Sequence, residues 1–374
     1  MSQLPVLFTP IDLRSVQLKN RLVVSPMCQY SAGQGIANEW HLVHYGRFAL
    51  GGFGAVILEA TSVARDGQIT HGDLGIWNDA QATALAHIAG FLRANGSVPG
   101  IQLAHAGRKA SSQRPWEGDG PLGEKDIQRG DAPWPTISPS AEAHAPGWHT
   151  PRALEEADLE AMLDTWEAAT KRALKAGFEI IEVHCAHGYL LHEFLSPLAN
   201  SRNDEYGGSL ENRMRFPLRV IERVRKTMPD DLPMFVRISA VDAMPGGWSQ
   251  DDSVVFAAKA KALGADVIDC STGGLRGYEG ASFPGYQVPH TQRIKEETGI
   301  LGMAVGLITD ARHAETLVSA NQTDLVALGR EALFDPQWPN HARRELGQEV
   351  LDYSNWPIQS GHWLTGREKQ LGHK

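Results

Sequence analysis

Residues 178–189 read FEIIEVHCAHGY, an apolar run that passes directly into a cluster of histidine, cysteine and tyrosine. A short, nearly continuous apolar run of this kind is typical of a strand in a parallel sheet that is covered on both faces. The preceding residues, 154–177, predict an amphipathic helix, because they open with acidic residues and end at a glycine. The repetition of this unit of helix, buried strand and polar strand end decides the fold.

The same unit recurs along nearly the whole chain. Seven further apolar runs predict strands, at 21–27, 54–60, 99–104, 234–239, 265–271, 301–306 and 323–330. Helical patterns lie between them, at 40–50, 79–96, 212–228, 250–264, 287–298, 310–320 and 337–346. Eight strands alternating with helices are typical of an α/β fold, here a single (β/α)8 TIM barrel over residues 1–374. An open doubly wound sheet is disfavoured, because CQYSAG and not a G-x-G-x-x-G turn follows the first strand.

Two segments interrupt the repeat. Residues 105–152 form a long insertion, rich in proline and tryptophan, between the third strand and the third helix. Long loops after barrel strands often build lids or binding walls, so we expect this insertion to form part of the active-site wall; a surface elaboration is the alternative. The C-terminal tail, residues 353–374, carries Trp356 and Trp363 outside any repeat, and exposed tryptophans there suggest docking at a subunit interface.

Composition excludes several functional classes. The chain has 35 Lys and Arg against 44 Asp and Glu, a formal net charge of −9, which argues against general nucleic-acid binding. Its three cysteines are too few for a disulfide framework or for a four-cysteine metal or iron–sulfur site. The start MSQLPVLFTPIDL does not resemble a signal peptide, and no run of about 18 apolar residues predicts a membrane span. We therefore expect a cytoplasmic protein.

In a barrel of this kind the active site lies at the carboxyl ends of the strands. Gly306 and Gly329 with Arg330 follow the seventh and eighth strands, where a phosphate is often bound; two ordinary strand-ending glycines are an equal alternative. Arg237 stands inside an apolar strand and needs an anion or an acceptor, an internal salt bridge being the alternative. Gln102 can both donate and accept, as the edge of a flavin-like ring would require.

The cluster HCAHGY is the densest signal. His184 and His187 could donate hydrogen bonds to a carbonyl oxygen and stabilise developing negative charge, with Tyr189 as a proton donor. Metal binding by His184, Cys185 and His187 is a competing hypothesis, but neighbouring strand residues point to opposite faces, so His184 and Cys185 are poorly placed to share a metal. Purely structural histidines are the third alternative.

Several motifs in this chain resemble those of the Old Yellow Enzyme family of NADH:flavin oxidoreductases, in the class of bacterial NADPH dehydrogenases and xenobiotic reductases. The matching segments are SPMCQY at 25–30, EAT at 59–61, IQLAHAGRKA at 101–110, RPWEGD at 114–119, HCAHGYLLHEFLSPLAN at 184–200, R-x-DEYGGSLENR at 202–213, FVRISA at 235–240, FPGYQV at 283–288 and GRE at 329–331. They run in family order over essentially the whole chain, which makes the signal specific.

The resemblance implies a barrel that holds FMN non-covalently and takes hydride from NADPH or NADH. It implies that the flavin is lined by Ser25, Pro26, Met27, Cys28, Ala60, Gln102 and Arg237. It implies that the flavin phosphate is held by Gly329 and Arg330, with Gly306 nearby. Arg237 would stabilise the negative charge of the reduced ring, and Cys28 would adjust its potential.

The implied reaction is ene-reduction of small-molecule activated alkenes in two half-reactions. His184 and His187 would hold the activating oxygen of an unsaturated carbonyl compound, imide or nitroalkene while hydride reaches the β-carbon. Tyr189 would donate a proton to the α-carbon. Tyr30 and Lys109 are expected to contact the substrate. A metal-dependent TIM-barrel hydrolase and a non-catalytic flavin sensor are the alternative functions.

The tail is expected to complete the site of a neighbouring subunit. GHWL at 361–364 resembles the end of the xenobiotic reductases, where a tryptophan enters the adjacent active site. Trp363 is the expected residue, with Arg367 as a weaker candidate. The resemblance therefore implies a homodimer or a dimer of dimers.

Overall fold

The structure is a computed structural model that describes residues 4–276 and 280–373. Residues 1–3 of the predicted barrel domain, residues 277–279, and the last residue of the predicted tail lie outside the described residues. Within these ranges the chain forms a closed parallel barrel surrounded by helices, so the predicted α/β (β/α)8 fold is confirmed.

The eight predicted strands are all present in the barrel. They are β1 Leu22–Val24, β2 Ala55–Ser62, β3 Val98–Ala104, β4 Ile180–Cys185, β5 Met234–Ser239, β6 Val267–Ser271, β7 Leu301–Ala304 and β8 Leu325–Leu328. Each strand pairs in parallel with its sequence neighbour, and β8 closes the barrel on β1. Strand β1 is shorter than predicted, because the chain leaves the sheet before Ser25, and the residues 25–30 are therefore free to line the barrel mouth.

The predicted helices are also present. They are α1 Glu39–Leu50, α2 Asp79–Ala94, α3 Glu156–Lys175, α4 Leu210–Thr227, α5 Gln250–Ala262, α6 Val288–Thr298, α7 Ala311–Ser319 and α8 Trp338–Glu345. Side chains that cap exposed N–H groups mark several starts: Asn78 accepts from Gln81 at α2, and Ser249 accepts from Asp252 at α5. Gly299 ends α6 in the left-handed conformation.

Two apolar layers hold the barrel. The larger lies between strands and helices and contains the outward-facing residues of each strand, such as Val183, Cys185 and Val236. The smaller fills the lower barrel, where Phe235 and Met303 pack against an antiparallel hairpin formed by Ile11–Leu13 and Val16–Leu18. Sequence analysis missed this hairpin, because two three-residue strands have no distinctive period. Since apolar side chains fill the lower end, any ligand must bind at the other end.

The insertion and the tail both adopt defined structure. Two short strands, Ile137–Ser138 and Arg152–Ala153, pair in parallel and close the insertion on itself. The tail forms a helix, Ile358–Gln370, that the sequence patterns did not predict. Of its tryptophans, Trp363 is 74% exposed, whereas Trp356 is half-buried against Tyr353. The expectation of exposed tryptophans therefore holds for Trp363 and is wrong for Trp356, which packs inside the chain.

Candidate active site

A cavity of about 330 Å³ opens at the carboxyl ends of β1, β5, β6, β7 and β8. Its lining includes most of the residues that the sequence predicts for the cofactor: Ser25, Pro26, Met27, Arg237, Gly306, Gly329 and Arg330. Tyr286 and Gln287, from the segment FPGYQV, lie on the same wall. Segments from both ends of the chain meet here because β8 closes on β1.

The end of the cavity beside β7 and β8 suits an anion. Gly306 has a positive φ of 122°, and a Cβ there would stand 2.7 Å from the Gln287 side-chain nitrogen, so only glycine fits without displacement. Gly329 precedes a short helix and has only Met27 and Ser25 near its Cβ direction. Arg330 is exposed on the cavity wall and makes no ion pair with the described residues. A guanidinium on the cavity wall beside two glycines, where a ligand can approach the backbone closely, suits the binding of a phosphate.

The segment after β1 is held in place by a buried acid. The Glu59 carboxyl group accepts a hydrogen bond from the Gln29 backbone N–H at 2.8 Å and from the Tyr45 hydroxyl at 2.7 Å. Burial raises the pKa of Glu59 to about 8. Cys28 is half-buried between these contacts, and burial raises the pKa of its thiol well above the usual value. Cys28 is therefore present as a neutral thiol.

A polar layer lies at the level where the barrel opens into the cavity. Arg237 donates to the Ser25 hydroxyl at 3.0 Å and pairs with the Asp269 carboxylate at 3.3 Å. Gln102 donates to Glu182 at 2.8 Å. Arg237 thus forms an internal salt bridge, as the alternative hypothesis for this residue predicted, and it also lines the cavity. Ala60 is placed on the adjoining strand beside Gln102, in register with it.

The predicted cluster of histidines and tyrosine is brought together. The rings of His184 and His187 lie 5.2 Å apart, and the Tyr189 ring lies 5.3 Å from His184. His187 adopts a positive φ of 61°, and its Nε2 lies 2.8 Å from the Ser271 hydroxyl. His184 Nδ1 is buried and has no hydrogen-bond partner among the residues that the structure describes. Burial, and secondarily the charge of Arg237, holds the pKa of both imidazoles well below the usual range, so both are neutral.

Tyr189 is a neutral phenol whose ring is fixed by its neighbours. Burial raises its pKa well above the usual value. The Lys109 ammonium lies 4.8 Å from the centre of its ring and donates to the backbone oxygens of His187 and Gly274 at 3.0 and 3.1 Å. Lys109 therefore reaches the cluster, and two of its three donors hold the loops after β4 and β6. Cys185 faces the helices, on the other side of the strand from His184, as expected.

Tyr30 lies in the segment that follows β1 and is half-buried. It has a positive φ of 49°, and burial raises its pKa above the usual value. The insertion contacts it twice: the Trp116 ring lies 5.8 Å from the Tyr30 ring, and Arg114 donates to the Tyr30 backbone oxygen at 3.2 Å. The proposed role of the insertion in the active-site wall rests on these contacts.

Three buried acids near the site were not predicted, although Arg237 was. Glu182 on β4 and Asp269 on β6 are fully buried inside the barrel. Glu59 on β2 is also fully buried. Each stands inside an apolar run, as IIEVH, VIDCS and VILEA show. A charged residue in a buried strand was the signal that identified Arg237, and the same signal marks these three acids.

Trp363 and Arg367 do not line the cavity of their own chain. Both are exposed and lie one helical turn apart on the tail helix, with Arg367 paired to Glu368. Their predicted role in a neighbouring site therefore stays a prediction. Among the described residues, no group of three or more His, Cys, Asp or Glu side chains could hold a metal ion. No helix in the described ranges is long and apolar enough to cross a membrane.

The fold is a (β/α)8 TIM barrel with a cavity at the carboxyl ends of its strands. A family model described as the NADH:flavin oxidoreductase / NADH oxidase family matches residues 6–349. The chain therefore belongs to that family, and the resemblance to the Old Yellow Enzymes is confirmed. It is an oxidoreductase with FMN as cofactor and NAD(P)H as electron donor.

Individual relatives agree with this assignment. The NADPH dehydrogenase of Geobacillus sp. (strain WCH70) is 43% identical over 347 residues, 92% of this chain and 96% of that protein. Morphinone reductase has a TM-score of 0.77 at 25% identity and matches 95% of this chain and 94% of its own. A 2-naphthoyl-CoA reductase complex has a TM-score of 0.82 at 21% identity; the match covers 92% of this chain but only 53% of that one, so it supports the fold alone.

Proposed function

We propose that this protein is an FMN-dependent ene-reductase that reduces activated alkenes with NAD(P)H. The observation that carries the proposal is the neutral pair of His184, which is buried, and His187, which is half-buried, with the Tyr189 phenol beside it. Two neutral imidazoles can donate hydrogen bonds to one carbonyl or nitro oxygen without placing a net charge in the site. A phenol kept protonated by burial can act as a general acid.

The cavity residues fit FMN on three observations. Gly306 lines the cavity where a Cβ would collide with Gln287, Arg330 makes no ion pair with the described residues, and Arg237 faces the cavity with a guanidinium that also contacts Ser25. We propose that Gly306, Gly329 and Arg330 hold the phosphate. The ring would be lined by Ser25, Pro26, Met27, Cys28, Ala60, Gln102 and Arg237. FMN, when bound, supplies hydride transfer between NAD(P)H and an acceptor.

The remaining roles belong to this chain's own side chains. His184 and His187 orient the acceptor by its oxygen and stabilise negative charge that develops there. Tyr189 delivers a proton to the α-carbon. Tyr30 contributes a further hydroxyl to the substrate pocket, and Lys109 holds the His187 loop and the Tyr189 ring in place. The substrate class that fits is an unsaturated aldehyde, ketone, imide or nitro compound.

The test is a cofactor and half-reaction experiment. Purified protein reconstituted with FMN should be yellow, lose its colour anaerobically with NADPH, and regain it with 2-cyclohexenone. Protein that takes up no FMN would overturn the proposed site. FMN-loaded protein that NADPH reduces but that no activated alkene reoxidises would favour the flavin sensor instead.

We also propose that the protein acts as a homodimer or dimer of dimers in which Trp363 enters a neighbouring site. The support is the 74% exposure of a large aromatic side chain on an ordered helix. Trp363→Ala should raise the KM for 2-cyclohexenone without lowering the melting temperature of the barrel. An unchanged KM, or monomeric wild-type protein in sedimentation, would contradict the tail exchange.

A further inference from the structure

Two carboxyl groups and one guanidinium are enclosed together in the upper barrel. Glu182 on β4 and Asp269 on β6 have no exposed surface, and Arg237 on β5 lies between them in the sheet order. Arg237 pairs with Asp269 at 3.3 Å, and Gln102 donates to one Glu182 oxygen at 2.8 Å. Among the described residues, the other Glu182 oxygen and Asp269 Oδ1 have no hydrogen-bond partner, and Asp269 Oδ2 has only the ion pair with Arg237. These unpartnered oxygens require an explanation, because buried carboxylate oxygens are normally hydrogen-bonded.

A shared proton satisfies them. Glu182 and Asp269 flank Arg237 closely enough to act on each other's pKa, and a hydrogen bond between the two carboxyl groups would occupy the unpartnered oxygens. Carboxylates are acceptors only, so this contact exists only when one of the two groups carries a proton. When two carboxyl groups are buried side by side, ionising both is unfavourable because their negative charges repel. One of the two groups therefore keeps its proton to a higher pH than a free carboxyl group does. Burial and the charge of Asp269 raise the pKa of Glu182 to about 8.

Among the described residues, Arg237 is the fixed charge that acts on the pair. Gln102 on β3 is neutral, and His184, further along β4, is neutral because its pKa is lowered. Cys185 and Cys270 face the helices, and burial raises the pKa of both thiols, so they stay uncharged. Below the pair the barrel is filled by apolar side chains from the other strands. The charge of this polar layer is therefore set by one proton.

We propose that Glu182 and Asp269 form a proton-exchanging pair that compensates, through Arg237, the negative charge that two-electron reduction places on the flavin. Both are positioning residues, since they act on the flavin through Arg237 and Gln102. The inference rests on the flavin site proposed above and needs no alkene. Negative charge on the reduced flavin offsets the positive charge of Arg237, which otherwise stabilises the ionised form of the carboxyl pair. The pKa of Glu182 is therefore higher in the reduced protein than in the oxidised protein.

The proton balance gives a measurable consequence. Below about pH 8 Glu182 is protonated in both states, and reduction takes up two electrons and one proton on the ring. Above about pH 8 Glu182 is ionised in the oxidised protein, and reduction takes up a second proton from solvent at the carboxyl pair. Each proton per two electrons lowers the midpoint potential by about 30 mV for a tenfold fall in proton concentration. The slope should therefore double above about pH 8.

The experiment is spectroelectrochemical titration of FMN-loaded protein from about pH 6 to about pH 10. The wild-type slope should steepen from about 30 mV per pH unit to about twice that value, and Glu182→Gln should keep the lower slope throughout. Asp269→Asn is the second variant, because Glu182 without its acidic neighbour ionises beside Arg237 at lower pH; it too should lose the steepening near pH 8.

Glu59→Gln is the matched control. It is the same substitution at a buried acid whose pKa is also about 8, but Glu59 is bonded to Tyr45 and Gln29 instead of Arg237. This control should retain the steepening. A constant wild-type slope, or steepening that persists in Glu182→Gln or disappears in Glu59→Gln, overturns the inference while leaving FMN binding intact. Protein that takes up no FMN overturns the proposed flavin site and this inference with it.

Discussion

Removing the hydroxyl of Tyr189 is the sharpest test of the proposed chemistry. The ring of this residue is held by contacts that do not involve its oxygen: the His184 ring at 5.3 Å and the Lys109 ammonium at 4.8 Å. Tyr189→Phe therefore deletes one oxygen and leaves those contacts in place. We expect the variant to bind FMN and to melt as the wild type does, since substitutions that break no buried contact usually change stability by less than about 0.5 kcal/mol.

The expected kinetic effect follows from the role of the hydroxyl. A positioned general acid typically contributes about 10²–10⁴ in rate, so the alkene half-reaction should slow by that factor. Reduction of the protein-bound flavin by NADPH involves no proton from Tyr189 and should stay within about threefold of wild type, a free-energy change of roughly 0.6 kcal/mol. Because burial holds the pKa of Tyr189 well above the usual value, the wild-type alkene half-reaction should show no ionisation of this phenol near neutral pH.

Anaerobic stopped-flow measurement separates the two half-reactions through the flavin absorbance. Tyr206→Phe is a suitable control: it removes a hydroxyl that accepts from Arg219 at 2.7 Å among the outer helices, away from the cavity, and both half-reactions should be unchanged. Equal losses in the two half-reactions of Tyr189→Phe would refute the proton-donor role. An alkene half-reaction at the wild-type rate would refute it as well.

Three further predictions concern the same site. Replacing both His184 and His187 with Ala should abolish the charge-transfer band that a phenol gives over the flavin, and a band that persists would contradict their role as oxygen ligands. Gly306→Ala should weaken FMN retention during dialysis, because its Cβ would stand 2.7 Å from a side-chain nitrogen; Gly208→Ala, where φ is also positive but no atom lies within 4 Å, should retain FMN. Between about pH 4.5 and pH 8, Glu59 is protonated in the folded protein and ionised in the unfolded protein. Its contribution to the free energy of unfolding is therefore fully present at low pH and is lost as the pH rises through that window. Glu59→Gln should flatten the decline in unfolding free energy by at most about 1.4 kcal/mol per pH unit, and a decline equal to wild type in chemical denaturation would contradict this.

Much of the fold was accessible from the sequence. Strand and helix patterns are local, and each of the eight predicted strands and eight predicted helices is present. The 3₁₀ turns and two-residue strands of the insertion were not predicted, because they lack a period that a pattern can reveal. The tail helix was missed for a related reason, since its sequence has no regular apolar stripe and only Gly361 and Glu368 on it are buried.

The cavity was predictable in outline because barrel topology brings every strand end to one rim. Ser25, Arg237 and Gly329 come from distant parts of the chain, yet all line one cavity. The contacts that each side chain makes were harder to predict from the sequence. Lys109 is predicted to contact the substrate, and the structure adds two bonds that the sequence does not predict, from its ammonium to the His187 and Gly274 backbone oxygens. Which atoms a flexible side chain contacts depends on the loop geometry around it.

The sequence by itself determined the barrel, the family and the residues at the strand ends, since these follow from local patterns and from motifs in a fixed order. Only the tertiary structure decided which groups carry charge. Closing the barrel buries Glu182 beside Asp269 and Arg237, and it buries His184 next to His187. Burial and neighbouring charge then set the pKa of each group, and neither quantity exists until distant strands pack together.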